Sequence, residues 1–89
     1  MEQYSLYGSY RVGDKIAKFS CDVSVDNCDV SGKGIEGKIS GCGLIFKTDD
    51  IEFNFTKRLE VDGSSMYSGK VYLCGILFSD ALASMERKQ

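Results

Sequence analysis

The sequence predicts an all-β fold, namely a small antiparallel β-barrel or sandwich of six to eight strands with a short C-terminal helix. Apolar and polar residues alternate along most of the chain, and glycine or aspartate turns interrupt this alternation roughly every ten residues. The 89 residues suffice for one domain, which we assign to residues 1–89. We prefer a closed barrel because closure removes exposed sheet edges. Strands are expected over about residues 3–78 and the helix over about residues 80–88.

The first half of the chain predicts short hairpins. Residues 4–12 and 17–25 both alternate, and Gly13-Asp14 provides a two-residue turn between them. Asp26-Asn27 predicts a second turn that leads into a third strand. Residues 31–43 contain five glycines, which is typical of the bends where a sheet curls into a barrel.

The second half predicts two further hairpins and the helix. Residues 44–47 and 51–56 flank a turn, and Asp62-Gly63 is another hairpin signal. Residues 71–78 are apolar on both faces, so we expect them in the middle of the structure or beneath the final segment. Ser79 or Asp80 would cap a helix in which Leu82 and Met85 share one face.

Composition and charge exclude several classes of function. The chain has 11 basic and 13 acidic residues, a net charge of −2 and no histidine. The basic footprint typical of nucleic-acid binding is absent, and nine acidic against five basic residues between positions 22 and 62 favour a basic partner surface. Without histidine, most acid–base, nucleophilic and zinc chemistry becomes improbable. We therefore expect no enzyme, no cofactor and no metal site.

The N-terminal sequence contains neither a basic segment nor an apolar segment typical of a secretory signal. No run of 18 apolar residues occurs either. We expect a cytoplasmic protein that does not bind membranes.

The glycine-rich stretch matches two phosphate-binding patterns. Gly32 to Gly37 fits GxGxxG, and Gly32 to Lys38 fits GxxxxGK. Both patterns need a helix that starts directly after the loop, and here strand-like residues follow. Ile39 also stands where the second pattern requires serine or threonine. The match therefore does not predict nucleotide binding.

The four cysteines contain no CxxC pair, so a zinc knuckle has no local support. Cys21, Cys42 and Cys74 lie within apolar strand patterns, where a small buried side chain is the usual role. We expect buried free thiols for a cytoplasmic chain. Disulfides are the next alternative and a four-sulfur metal site the last.

Two kinds of residue are candidates for binding a partner. Exposed tyrosines anchor protein interfaces, although tyrosines of such a small protein also line the core. Clustered carboxylates could steer a basic partner, although aspartates also occupy turns for local reasons. The candidate partner-binding residues are Tyr7, Asp22, Asp26, Asp29, Asp49, Asp50, Glu52 and Tyr67.

Four segments follow one another in a distinctive order: Asp22-Val23-Ser24-Val25-Asp26, Ser31-Gly32-Lys33-Gly34, Leu44-Ile45-Phe46 and Glu52-Phe53-Asn54-Phe55. Over about residues 20–78, this order resembles the virulence-associated VapA-type barrels. The resemblance implies a compact eight-stranded barrel with a non-catalytic role in host interaction. The chain differs from that family in being shorter and in lacking a secretion signal.

These observations predict a small acidic protein that binds another macromolecule. Our leading hypothesis is an inhibitor of the kind carried by phages or mobile elements, which covers a basic, nucleic-acid-binding surface of a host defence protein. A barrel that sequesters a small molecule is the alternative, and a VapA-like host-interaction barrel is a third. A homodimer through the tyrosine face is a further candidate assembly.

Overall fold

A computed structural model describes residues 1–88 as eight antiparallel strands in one closed barrel. Each strand pairs with its neighbours along the chain, and the last strand pairs with the first. The all-β prediction and the preferred closed barrel are confirmed. The strands are β1 (Glu2–Val12), β2 (Lys15–Asp26), β3 (Asp29–Gly32), β4 (Ile35–Ile39), β5 (Gly43–Thr48), β6 (Ile51–Val61), β7 (Ser64–Leu73) and β8 (Ile76–Arg87).

Tight turns connect the strands because the sequence supplies residues that tolerate a positive φ. Gly13 has a φ of 65° between β1 and β2, and Gly63 has a φ of 82° between β6 and β7. Glycine adopts this left-handed conformation without a steric penalty. The β1–β2 and β6–β7 hairpins therefore form where the sequence predicted turns.

The predicted C-terminal helix over residues 80–88 is wrong, because β8 occupies this segment. Ala81, Ala83 and Met85 are buried, whereas Leu82 between them is exposed. The strand pairs with β1 on one side and with β7 on the other, so its backbone hydrogen bonds lie in two ladders. Tertiary pairing here outweighs the helix propensity of alanine, leucine and methionine.

The apolar run at residues 71–78 forms the end of β7, a turn and the start of β8. No later segment up to residue 88 covers it, and Ile76, Leu77 and Phe78 are exposed at the tip of this hairpin. The prediction of a central or covered run is therefore wrong for these residues. The register of the β7–β8 ladder shifts within this run, between Val71 and Tyr72.

Aromatic rings fill the barrel interior. Phe46 and Phe53 stack with ring centroids 4.7 Å apart, and Phe55 lies 5.8 Å from Phe53. Two small residues, Gly8 and Ala83, lie on the opposite wall of the barrel, where they are ladder partners. Ala83 is in turn the ladder partner of the large Tyr67. Alternation of large and small side chains lets a narrow barrel be filled without voids.

The barrel has a short wall, formed by β3, β4 and β5, and a long wall, formed by the other five strands. Strands β3, β4 and β5 contain four, five and six residues, whereas each of the others contains at least ten. The pairing between β2 and β3 consequently covers only Val23 to Asp26. The first part of β2 extends past the short wall with β1 as its ladder partner.

Candidate functional site

The outer surface of β1, β8 and β7 carries three large exposed side chains among serines. Tyr7, Leu82 and Met66 are 45%, 61% and 51% exposed. Tyr7 and Met66 each pair with Ser84, one from either side, and Leu82 pairs with both Ser9 and Ser68. We call this surface the Tyr7 face, which consists of Tyr7, Ser9, Met66, Ser68, Leu82 and Ser84.

Strand alternation explains why these side chains point outward. Successive residues of a strand face opposite sides, so Leu6 lies in the core while Tyr7 lies outside. In the same way, Leu82 lies outside between the buried Ala81 and Ala83. The six outward positions adjoin one another and carry no charge, in a chain of which 27% is charged. Depletion of charge around exposed aromatic and methionine side chains is typical of the centre of a protein interface.

Charged residues border the Tyr7 face. Arg11, Arg58, Lys70 and Asp80 lie on one side, where they help to line a shallow groove of about 770 Å³ that reaches Leu82. Arg58 Nε donates a hydrogen bond to Ser68 Oγ of the face at 2.6 Å. Lys70 Nζ donates a hydrogen bond to Asp80 Oδ1 at 2.6 Å. This contact lowers the pKa of Asp80 and raises the pKa of Lys70. Glu86 lies on the other side of the face, opposite Ser5 of β1.

The structure separates the predicted acidic residues into two groups at opposite ends of the barrel. Asp26 and Asp29 lie at the end where β2 leads into β3, and Asp49 and Asp50 lie in the β5–β6 turn at the other end. Glu52 faces outward on β6, paired with Lys47. The six carboxylates do not form one patch.

Lysines partly neutralise the acidic residues of β2 and β3. Asp22 forms an ion pair with Lys88 at 2.9 Å, and Asp29 forms an ion pair with Lys38. The pair with Asp29 raises the pKa of Lys38, first through the hydrogen bond and then through the negative charge. Asp26 is the ladder partner of Asp29, so two carboxylates face each other there.

Of the two candidate tyrosines, Tyr7 is exposed and Tyr67 is not. Tyr67 is 2% exposed and belongs to the core, so the expectation of an exposed anchor at Tyr67 is wrong. Burial raises the pKa of its phenol. Sequence reasoning missed Leu82 because it placed this residue in a helix, and it missed Met66 because a turn was expected nearby. Alternation within β8 was the signal for Leu82.

The four cysteines are free, but the predicted burial is wrong for two of them. Cys42 and Cys74 lie exposed in turns, as does Cys28, whereas Cys21 is half-buried in β2. Burial, with a smaller contribution from the charge of Asp22, raises the pKa of the Cys21 thiol. Across residues 1–88, no group of three cysteine or carboxylate side chains is placed to hold a metal ion.

The glycine-rich stretch forms the β3–β4 hairpin. Gly32 ends β3 and Ile35 begins β4, so the residue pattern does not lead into a helix. A phosphate-binding loop requires that helix. Within the described residues, 1–88, no helix has the length and apolar character needed to cross a bilayer.

Comparison with protein-family models, with curated proteins and with solved structures gives no match. The resemblance to VapA-type barrels therefore stays a prediction. Any function for this chain has to be argued from its own surface.

Proposed function

We propose that this protein is a non-enzymatic binding protein that covers part of the surface of another protein. The proposed biological role is that of an inhibitor from a phage or mobile element, directed against a host defence protein. The observation that supports the binding role is the Tyr7 face, with its uncharged centre and charged border. An apolar centre with a polar rim is the usual anatomy of a protein interface.

Each part of the face has a distinct task in this proposal. Tyr7 supplies a large contact area with little loss of side-chain entropy, and Leu82 and Met66 add apolar area beside it. The serines allow a partner backbone to come close and form hydrogen bonds. Arg11 and Lys70 on one border and Glu86 on the other orient the partner, since rim charges govern specificity and association rate.

The acidic residues at the barrel ends have a secondary role in the proposal. Asp26 adds negative charge at one end of the barrel, which steers a basic partner over long range at low ionic strength, whereas Asp49 and Asp50 share the other end with Lys15 and Lys33. Because the two groups lie far apart, they act on the approach and leave close contact to the Tyr7 face. The preferred partner is a protein with a basic surface, such as one that binds nucleic acid.

A paired substitution tests the role of the face. Leu82→Arg places a charge at the centre of the Tyr7 face, and Ile45→Arg places one on β5, where Ile45 is 45% exposed on the short wall. The experiment is affinity capture from an extract of the native host, followed by mass spectrometry and a binding assay with the purified partner. We expect Leu82→Arg to abolish capture and Ile45→Arg to leave it intact. Equal capture by both variants would refute the assignment of the face.

A second candidate function is sequestration of a small apolar molecule, which a cavity at one end of the barrel favours. The cavity has a volume of about 230 Å³ and is lined by Tyr10, Val12, Ile51, Val71, Leu73 and Phe78. An apolar cavity of about 150 Å³ suffices for a benzene ring. Its lining side chains Val12, Leu73 and Phe78 are exposed, so a ligand there stays partly in water.

Titration with indole, followed by amide chemical shifts, tests this second function. We expect shifts confined to the cavity residues, and loss of binding when Ile51→Trp fills the space. Ile45→Trp is the matched control on the outer surface. Absence of saturable shifts at millimolar indole would exclude the cavity as a ligand site.

A further inference from the structure

The first part of β2 is an unpaired sheet edge. Residues Lys15 to Val25 of β2 pair with β1, but β3 pairs only with Val23 to Asp26. Among residues 1–88, no strand pairs with residues 15–22 on their second side, and no turn or loop backbone bond reaches them. An edge of this kind presents free backbone N–H and C=O groups to another extended chain.

An apolar cavity opens beside this edge. Its volume is about 180 Å³, and Phe19 and Cys21 of β2 line it together with Ile35, Phe46 and Phe53. A strand added next to β2 would direct alternate side chains inward, in line with Phe19 and Cys21. The cavity exceeds the size that holds a benzene ring, so it has room for a leucine, isoleucine or phenylalanine side chain.

Three lysines surround the same edge. Lys15 and Lys18 lie on β2, and Lys33 lies on the β3–β4 turn, where it helps to line the cavity. None of the three forms an ion pair within the described part of the chain. Lysines on an edge oppose pairing with neutral or basic strands. A strand that carries carboxylates would instead be attracted.

We propose that residues 15–22 of β2 bind an extended acidic segment of a partner protein by strand addition. Backbone hydrogen bonds hold the segment, an apolar side chain enters the cavity, and aspartate or glutamate residues contact Lys15, Lys18 and Lys33. Strand addition with pockets for alternate side chains is a recurring mode of peptide recognition. The fold leaves this position vacant because β3 is too short to cover it.

Two other occupants fit the edge less well. A nucleic acid needs a row of aromatic side chains or a strongly basic groove. The outward residues here are Ile16, Lys18, Ser20 and Asp22, in a protein of pI near 5.0. A second copy of the chain would bring lysines of two β2 edges together and place β3 of each copy in the way.

The edge is continuous with the Tyr7 face. Tyr7 is the ladder partner of Ser20, and a depression of about 250 Å³ between β1 and β2 is lined by Ser5, Tyr7, Ser20, Cys21 and Asp22. A partner can therefore cover the face and place one segment along β2. The inference rests on the proposed function only in that the partner is a protein.

The test uses the full chain and a capped octapeptide of alternating glutamate and valine. Hydrogen exchange and amide shifts report where the peptide binds, and calorimetry gives its affinity. We expect slowed exchange within residues 15–22 on peptide addition. Lys18→Glu and Lys33→Glu should each weaken binding by roughly fivefold, as expected for loss of an exposed ion pair. Lys47→Glu, an equal charge change on the short wall, should leave the affinity unchanged.

Several outcomes would overturn the inference. One is peptide binding without added protection in β2, and another is equal binding of an octapeptide of alternating lysine and valine. Preferential binding of an oligothymidine of eight nucleotides at this edge would assign the edge to nucleic acid. Concentration-dependent dimerisation that slows hydrogen exchange in β2 without peptide would assign the edge to a second copy of the chain.

Failure of this inference is distinguishable from failure of the proposed function. Leu82→Arg should not affect the octapeptide, because Leu82 lies on β8. Partner capture that is lost with Leu82→Arg but kept with Lys18→Glu would retain the Tyr7 face and reject the edge. Partner capture that is kept with Leu82→Arg but lost with Lys18→Glu would retain the edge and reject the Tyr7 face.

Discussion

The ring of Phe19 on β2 lies directly over Gly8, its ladder partner on β1. A Cβ atom at position 8 would overlap three atoms of this ring, so the ring occupies the space of the missing side chain. Phe19 also contacts Phe53, with ring centroids 5.0 Å apart. An aromatic ring that covers a cross-strand glycine is a known device for holding strand register. Gly8 therefore determines where Phe19 lies and, through it, the shape of the cavity beside β2.

Gly8→Ala should lower the free energy of unfolding by roughly 1–3 kcal/mol, because the new methyl group displaces the Phe19 ring. Urea denaturation measures this change. Gly41→Ala is the matched control, since a Cβ at Gly41 meets no atom within 4 Å. Equal stability of the two variants would contradict the proposed packing.

Asp26→Asn should stabilise the barrel by less than about 1 kcal/mol at low ionic strength. Asp26 and Asp29 face each other across the β2–β3 ladder, and like charges in that relation are destabilising. The gain should shrink in high salt, because screening weakens the repulsion in the parent protein. Thermal unfolding at two salt concentrations checks this, and a gain that does not depend on salt would exclude the electrostatic explanation.

The ion pair of Lys57 and Glu60 should contribute to stability only at pH values at which the Glu60 carboxyl is ionised. Lys57 Nζ donates to Glu60 Oε1 at 2.8 Å, and this hydrogen bond lowers the pKa of Glu60 in the folded protein. The contribution is therefore complete above the unfolded pKa of the carboxyl and is lost as pH falls through the lowered folded value. Lys57→Gln should raise the pKa of Glu60, as measured by carboxyl-carbon NMR titration. Lys47→Gln is the control and should leave the titration of Glu60 unchanged.

Cys21 should react with iodoacetamide more slowly than Cys28, Cys42 and Cys74. Cys21 is half-buried and its pKa is raised, whereas the other three thiols are exposed. The thiolate is the reactive form, so a raised pKa and limited access both slow the reaction. Peptide mapping after timed labelling at pH 8 measures the order, and all four should react alike in urea. Fast labelling of Cys21 in the native state would contradict its placement.

The all-β fold was predictable because alternation and turn residues agree in β1, β2 and the first half of β6. The sequence analysis failed at β8, where alanine, leucine and methionine favour a helix when only local propensity is considered. The inward positions of β8 need small side chains next to large ones across the ladder: Ala81 beside Tyr10, and Ala83 beside Tyr67. Only the completed barrel creates that need, so tertiary contacts determine the structure of this segment.

The candidate surface was less predictable than the fold. Alternation alone indicated that Tyr7 lies opposite Tyr4 and Tyr10, and its exposure follows from that pattern. Tyr67 could not be assigned in the same way, because its neighbours Met66 and Ser68 do not reveal which face is inward. The Tyr7 face joins residues from β1, β7 and β8, and a single sequence does not state which strands become neighbours.

The ladder between β1 and β8 joins the beginning of the described chain to its end, which has a consequence for synthesis in the cell. β1 leaves the ribosome long before β8. Until β8 has been synthesised, the backbone N–H and C=O groups on one side of β1 have no strand partner. Pairing between such distant segments also makes folding slow. The nascent chain is thus prone to aggregation until β8 has been synthesised, and chaperones that shield extended segments should raise its yield.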